Sequence, residues 1–145
     1  GEAWPHFGPF VDRVPIREVP PVPRDRALEL MAEASLLYLK QGWEEGITDY
    51  VSVAAKTYES LATGLPVLAE CPPGDNLEIV RDHAERPYLV PSLSADAMKT
   101  TLRSAWRDRA LPPGRVSQTF IDSFSRDNLA RRLADELSAV LVETP

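Results

Sequence analysis

From residue 34 onward, short apolar runs alternate with longer stretches whose apolar positions recur at helical spacing, and no hairpin signal intervenes. Parallel βαβ units read this way, so the pattern predicts an α/β layered fold. The predicted strands are residues 35–39 (SLLYL), 66–69 (PVLA) and 88–90 (YLV). Residues 6–11 (HFGPFV) are a weaker edge candidate, because Pro9 removes a ladder donor. A helix over residues 24–33 sets Ala27, Leu30, Met31 and Ala34 on one face, after an extended connector rich in proline (Pro15, Pro20, Pro21, Pro23). A second, from about residue 52 to 63, turns Val51, Ala54, Ala55, Tyr58, Leu61 and Ala62 inward, with Ser52, Lys56, Glu59 and Thr63 on its other face. Gly64 suits the position just past its end. Asp75 and Glu78, three apart, read as a reciprocal cap for a third helix. Ser94 and Ser125 read as further N-caps, each with an apolar pair across the helix start, Leu93 with Met98 and Phe124 with Leu129. The closing helical segment, about residues 115–142, is set off by Pro112, Pro113 and Gly114, and its last helix is expected to bury Leu129, Leu133, Leu137, Val140 and Leu141.

Composition narrows the partners. The chain has 145 residues, enough for one domain with a real core, and a net charge of −6 from 16 Lys+Arg and 22 Asp+Glu. Its basic residues do not cluster beyond the pair Arg131 and Arg132, which argues against a nucleic-acid surface. The longest apolar run, residues 34–39, is far short of the roughly 20 residues that cross a bilayer, so no transmembrane segment is expected. One cysteine, Cys71, can form no internal disulfide, and it reads as a small core residue in a reducing, cytoplasmic setting. His6 and His83 stand apart from any D-x-D triplet or second histidine, read as surface residues, and suggest no metal site.

In a parallel sheet, the loops leaving the strands' carboxyl ends share one rim, and the following helices aim their N-termini at it. Three such loops are expected, at residues 40–51, 70–75 and 91–94. The first is longer than a strand-to-helix link needs and carries Trp43, Tyr50, two glycines and three acids. Either aromatic can stack on a ligand or simply pack. The second brings Pro72, Pro73 and Gly74 up to a helix start, where backbone N–H groups can approach an anion or merely cap the helix.

The run AKTYESLATGLPVLA at residues 55–69 resembles the K-x-x-E-x-L-A-x-G-x-P-V signature in the nucleotide-sugar-binding half of GT-B glycosyltransferases, the family-4-like retaining group in particular. Residues 73–80 (PGDNLEIV) are similar to the G-G-x-x-E-I-V segment that follows it, and residues 7–11 (FGPFV) to an F-x-G-x-V strand end that precedes it. The resemblance spans about residues 6–142 and implies a Rossmann-like parallel sheet flanked by helices, part of a GT-B C-terminal domain. On that reading residues 1–145 are a single, partial donor-binding domain of a larger transferase.

The resemblance also implies roles. Glu59 matches the glutamate that accepts hydrogen bonds from the donor's ribose hydroxyls, a task one carboxylate performs with both oxygens. Lys56 matches a position often basic, facing the donor phosphates or pairing with Glu59. Gly74, Asp75 and Asn76 complete the set around ribose and phosphate, while Gly64 and Pro66 serve the helix-to-strand turn. The implied reaction moves a sugar from a nucleoside diphosphate sugar to an acceptor held by a separate N-terminal domain, with neither metal nor cofactor; no catalytic residue is assigned.

Two departures stand against it. The family's second glutamate falls on Val51, although Glu45 and Asp49 lie in the same loop, and the basic pair that holds the diphosphate has no counterpart. A non-catalytic Rossmann- or flavodoxin-like interaction or regulatory module accounts for both departures. An epimerase of GT-B architecture is a third reading, lacking further acids that can be placed.

Overall fold

The structure, a computed structural model, describes residues 14–17, 19–43, 50–112 and 114–142. The candidate strand at residues 6–11 and the acids Glu45 and Asp49 lie outside them. The chain divides into two units, residues 1–30 and 31–145. In chain order the elements are α1 (Arg24–Ala32), β1 (Leu37–Lys40), α2 (Ala55–Leu61), β2 (Val67–Glu70), α3 (Asp75–His83), β3 (Pro87–Val90), α4 (Ala95–Arg107), α5 (Gln118–Phe124) and α6 (Arg126–Val142).

The three strands pair in parallel in the order β1-β2-β3, so the α/β sheet expected from the sequence forms, and it is compatible with a Rossmann-like fold. Both crossovers advance the same way across the sheet, which with right-handed connections puts α2 and α3 on one face. Register places Leu39, Ala69 and Leu89 side by side, and with Val67 and Cys71 they meet Leu77 and Val80 of α3. That cluster is the core. The alternate positions, Tyr38, Leu68 and Tyr88, line the other face. There Tyr88 donates from its hydroxyl to Asp108 Oδ2 at 2.9 Å, just beyond the end of α4, and α4 packs on β3.

The buried side of α2 differs from the expected one. The helix begins at Ala55 rather than at 52, and Thr57, Ser60 and Leu61 face inward while Val51 is 74% exposed. Two hydroxyls can be buried because both are satisfied: Thr57 donates to Asn76 Oδ1 at 2.6 Å, and Ser60 to the Lys56 carbonyl at 2.8 Å. Their small size lets the helix lie close to the sheet.

Capping follows expectation at two starts and departs from it at one. Ser94 accepts from the Ala97 amide at 3.3 Å, and Ser125 from the Asn128 amide at 3.4 Å. The reciprocal cap at α3 does not form, since Gly74 takes the N-cap position and the Asp75 amide donates to the Tyr50 carbonyl at 2.9 Å. A main-chain acceptor distant in sequence has displaced the local side chain. Gly74 sits at φ +145°, and a Cβ there would lie 2.4 Å from the Tyr50 oxygen. Gly64, at φ +69°, is confined in the same way: a Cβ there would lie 2.9 Å from the backbone of Arg115 and Val116, where the closing segment crosses the α2-to-β2 turn.

The closing segment is two helices broken at Ser125. Helix α5 docks through aromatic contacts: Phe124 lies 5.2 Å from the Tyr58 ring and 5.3 Å from His83, and Phe120 is buried 5.9 Å from His83. His83 is therefore half-buried in a ring cluster rather than a plain surface residue, and Phe124 turns to that cluster. Leu93, expected to pair across the α4 start, is 67% exposed. The expected burial along α6 is overturned: Leu129, Leu133, Leu137, Val140 and Leu141 are 45–77% exposed. The helix carries an apolar stripe, as its periodicity indicates, but it leaves the layers and packs chiefly on α5.

Gly74→Ala should destabilise the chain by about 1–3 kcal/mol through backbone strain, with the Tyr50 clash in addition. Gly42→Ala, where a Cβ meets nothing within 4 Å, should stay within about 0.5 kcal/mol. Urea denaturation of both variants checks the contrast.

Candidate functional site

The carboxyl rim is built from the ends of β1 and β2 and the starts of α2 and α3. At β1, Lys56 Nζ donates to the Lys40 carbonyl at 2.9 Å, tying the first turn of α2 to the strand's end. The Gln41 amide continues the ladder to the Glu70 carbonyl at 3.0 Å, and its side-chain amide reaches Ser52 Oγ at 3.4 Å. Gln41 Oε1 is buried with no hydrogen-bond partner among the described residues.

Glu70 is the carboxylate that the sequence reading passed over. Its side chain is only 13% exposed, accepts a hydrogen bond from the Tyr38 hydroxyl, and lies 3.7 Å from Lys40 Nζ. Lys40 and Glu70 are register partners, and Tyr38 stands two residues before Lys40 on the same face. The signal was available: two adjacent parallel strands end in opposite charges. Partial burial of the Tyr38 ring, and then the Glu70 carboxylate beside it, push its phenol up to about 12.

At the α3 start the polar side chains are already engaged. Asn76 is 1% exposed, accepting from Thr57 and donating from Nδ2 to Cys71 Sγ at 3.4 Å. Its side chain joins α2 to α3 and has no face turned to solvent. Burial pushes the Cys71 thiol up, so Cys71 is the inert core residue its position suggested. Asp75 is exposed, and with Glu78 it puts two carboxylates in the first turn of α3. Tyr50 is 8% exposed and bridges to Gly74, so of the two aromatics weighed for stacking it is a packing residue.

Glu59 and Lys56 are one turn apart on α2. Helical spacing turns Glu59 roughly 150° from the middle of the buried Thr57, Ser60 and Leu61 face, yet it is half-buried. Neither Glu59 nor Lys56 lines any of the three best-formed cavities among the described residues. One of about 480 Å³ between α2 and α3 is lined by Asp75, Glu78 and Asp82 with His83. Another of about 560 Å³ lies at the opposite, amino end of the strands, beside Leu36, Pro66, Arg86 and Trp106. The third runs along α4 itself. Among the described residues no group of three or more His, Cys, Asp or Glu is arranged to hold a metal, and no helix is long and apolar enough to cross a membrane.

No family model matches the chain, and no curated protein or solved structure is significantly similar to it.

The Tyr38 and Glu70 contact has a pH signature. Because the folded phenol titrates above its ordinary 10.0, the stability it contributes is fully present below pH 10 and is lost as pH rises toward about 12. Absorbance-monitored titration should show a phenol near that value, and Glu70→Gln should bring it part of the way back by removing the neighbouring charge.

Proposed function

We propose that this chain is the donor-binding portion of a glycosyltransferase of GT-B type, acting on a nucleoside diphosphate sugar and completed by a separate acceptor-binding domain. The carrying observation is the tie from Lys56 Nζ to the Lys40 carbonyl, which brings the first turn of α2 to the carboxyl rim of a parallel sheet. Lys56 of the signature thereby reaches the rim at which open α/β sheets commonly bind ligands, which supports this reading.

Within this reading, the charge distribution assigns the donor's parts. The first turn of α3 already holds Asp75 and Glu78, which occupy the favourable end of its dipole and repel phosphate. The diphosphate therefore lies toward Lys56, whose ammonium can exchange its carbonyl acceptor for a phosphate oxygen. Glu59, one turn on, accepts from the ribose hydroxyls. Gly74 contributes close backbone approach, Asp75 can accept from a hydroxyl, and Asn76 holds the loop from inside rather than touching ligand.

A second reading, an interaction or regulatory module without transferase activity, is favoured by one observation: Glu59 turns away from the sheet and lines none of these three cavities. Calorimetric titration of a uridine or guanosine diphosphate sugar separates the two. Donor binding predicts saturable heat that Lys56→Ala weakens by about tenfold, the loss of one charge-assisted hydrogen bond, and Glu59→Ala by at least as much, since it removes the acceptor of two. Equal affinity in all three proteins, or no binding by any, favours the module.

A further inference from the structure

The cavity of about 560 Å³ lies at the amino end of the strands, away from the carboxyl rim, and its lining residues all belong to the unit of residues 31–145. Its volume is that of a small-molecule site, which runs from about 300 to 1,000 Å³. Leu36 and Pro66, just before β1 and β2, form one wall; Leu102 and Trp106 of α4 and Leu111 beyond it form another. Leu102, Trp106 and Leu111 are 42%, 67% and 54% exposed, so three large apolar side chains that the fold leaves uncovered stand around one opening.

Two arginines share these walls, and each is held in place without being neutralised. Arg86 donates from Nη2 to the Pro112 carbonyl at 2.6 Å and from Nη1 to the Asp108 carbonyl at 3.4 Å. Arg109 donates to the Trp106 carbonyl at 2.6 Å and lies over the Trp106 ring, 4.1 Å from its centre. Among the described residues neither forms an ion pair. A guanidinium carries five N–H donors, so both keep donors for a further acceptor. The acid on the wall, Asp108, accepts from the Tyr88 hydroxyl at 2.9 Å. Two guanidiniums against one carboxylate leave the cavity one positive charge in excess, on a chain whose net charge is −6. Capping the last carbonyls of α4 accounts for the bonds these arginines make, but not for two cations on the wall of an open apolar chamber.

We propose that this cavity binds an amphipathic monocarboxylate, its hydrocarbon body against Leu36, Leu102, Trp106 and Leu111 and its carboxylate received by Arg86 and Arg109. The single charge of such a ligand matches the single excess charge of the wall, whereas a phosphate monoester would bring nearly two beside Asp108. The planar fork of a guanidinium also suits a carboxylate, which it meets with two parallel hydrogen bonds. A cationic amphiphile would face both arginines, and a neutral one would leave them unpaired. The inference stands apart from the donor reading, since neither Lys56 nor Glu59 lines this cavity.

Calorimetric titration of the 145-residue chain with decanoate up to about 1 mM tests this. The expected result is saturable binding of one decanoate per chain, with decylammonium and acetate each at least tenfold weaker, the first for its charge and the second for want of a hydrocarbon body. With Trp4→Phe and Trp43→Phe in place, the emission of the remaining tryptophan, Trp106, should shift along the same saturation curve. Arg109→Gln, which removes a receiving cation, and separately Leu111→Glu, which sets a like charge on the wall, should each weaken decanoate at least tenfold while circular dichroism stays unchanged. Both residues are exposed and lie beyond the end of α4, and if one variant loses its fold the other decides. Heat that never saturates overturns the proposal, as does decylammonium or acetate binding as tightly as decanoate. So does a Trp106 emission that stays constant, or an affinity unchanged in the folded variants.

Discussion

The interior contact from the Thr57 hydroxyl through the Asn76 amide to the Cys71 thiol organises this molecule. All three residues are at most 1% exposed, and each belongs to a different piece of structure: α2, α3 and the turn after β2. Buried polar groups left without partners are costly, so two helices and a strand end have to meet in one arrangement for the chain of contacts to close. An apolar interface of the same area would tolerate some rotation of α2; this one does not. Once Thr57 faces inward, Lys56 falls on the flank that reaches the end of β1, and Glu59 is carried to the outer side. The geometry of the rim is a consequence of a contact beneath it.

The two faces of the sheet are asymmetric for a related reason. The face under α2 and α3 is closed by aliphatic packing. The opposite face takes α4 at β3, but toward β1 it ends in Tyr38, Lys40 and Glu70, with Tyr38 52% exposed. The Glu70 carboxylate has little access to water, and it has the Tyr38 hydroxyl as a donor and the Lys40 ammonium at hand. The 560 Å³ cavity lies at the other end of the strands, where Leu36, Leu65, Trp106 and Leu111 provide apolar walls beside Arg86 and Asp108.

What the sequence disclosed and what it concealed divide along the range of the forces involved. The three strands, the Ser94 and Ser125 caps, the turn at Gly64 and the burial of Cys71 follow from local pattern, and the structure has each of them. The face of α2 was misjudged because Thr57 and Ser60 are polar by composition, and only a partner nineteen residues on, Asn76, makes Thr57 an interior residue. Asp75 was read as a cap because the competing acceptor, the Tyr50 carbonyl, belongs to another part of the chain. The leucines of α6 show that a helix has an apolar side, which periodicity reports; what covers that side is outside its reach. Of the candidate site, the sequence supplied Lys56 and Glu59 as letters one turn apart and said nothing of Glu70, whose interest arises only when β1 and β2 lie in register.

The sign of the charge around the rim carries the last step. Helix α3 is the longer of the two helices that start there, nine residues against seven, and by length alone its N-terminus would be the better anion site. Its first turn is nonetheless filled by Asp75 and Glu78, its leading amide is committed to Tyr50, and Asp82 adds a third carboxylate to the groove beside it. Helix α2 has no acid in its first turn and presents Lys56 there instead. A phosphate approaching the rim thus meets repulsion at the stronger dipole and a cation at the weaker one, and a formal charge outweighs the partial charge of a helix end. Any anionic ligand this rim accepts is consequently steered to the β1 side, and the acidic groove between α2 and α3 is left to neutral or cationic groups.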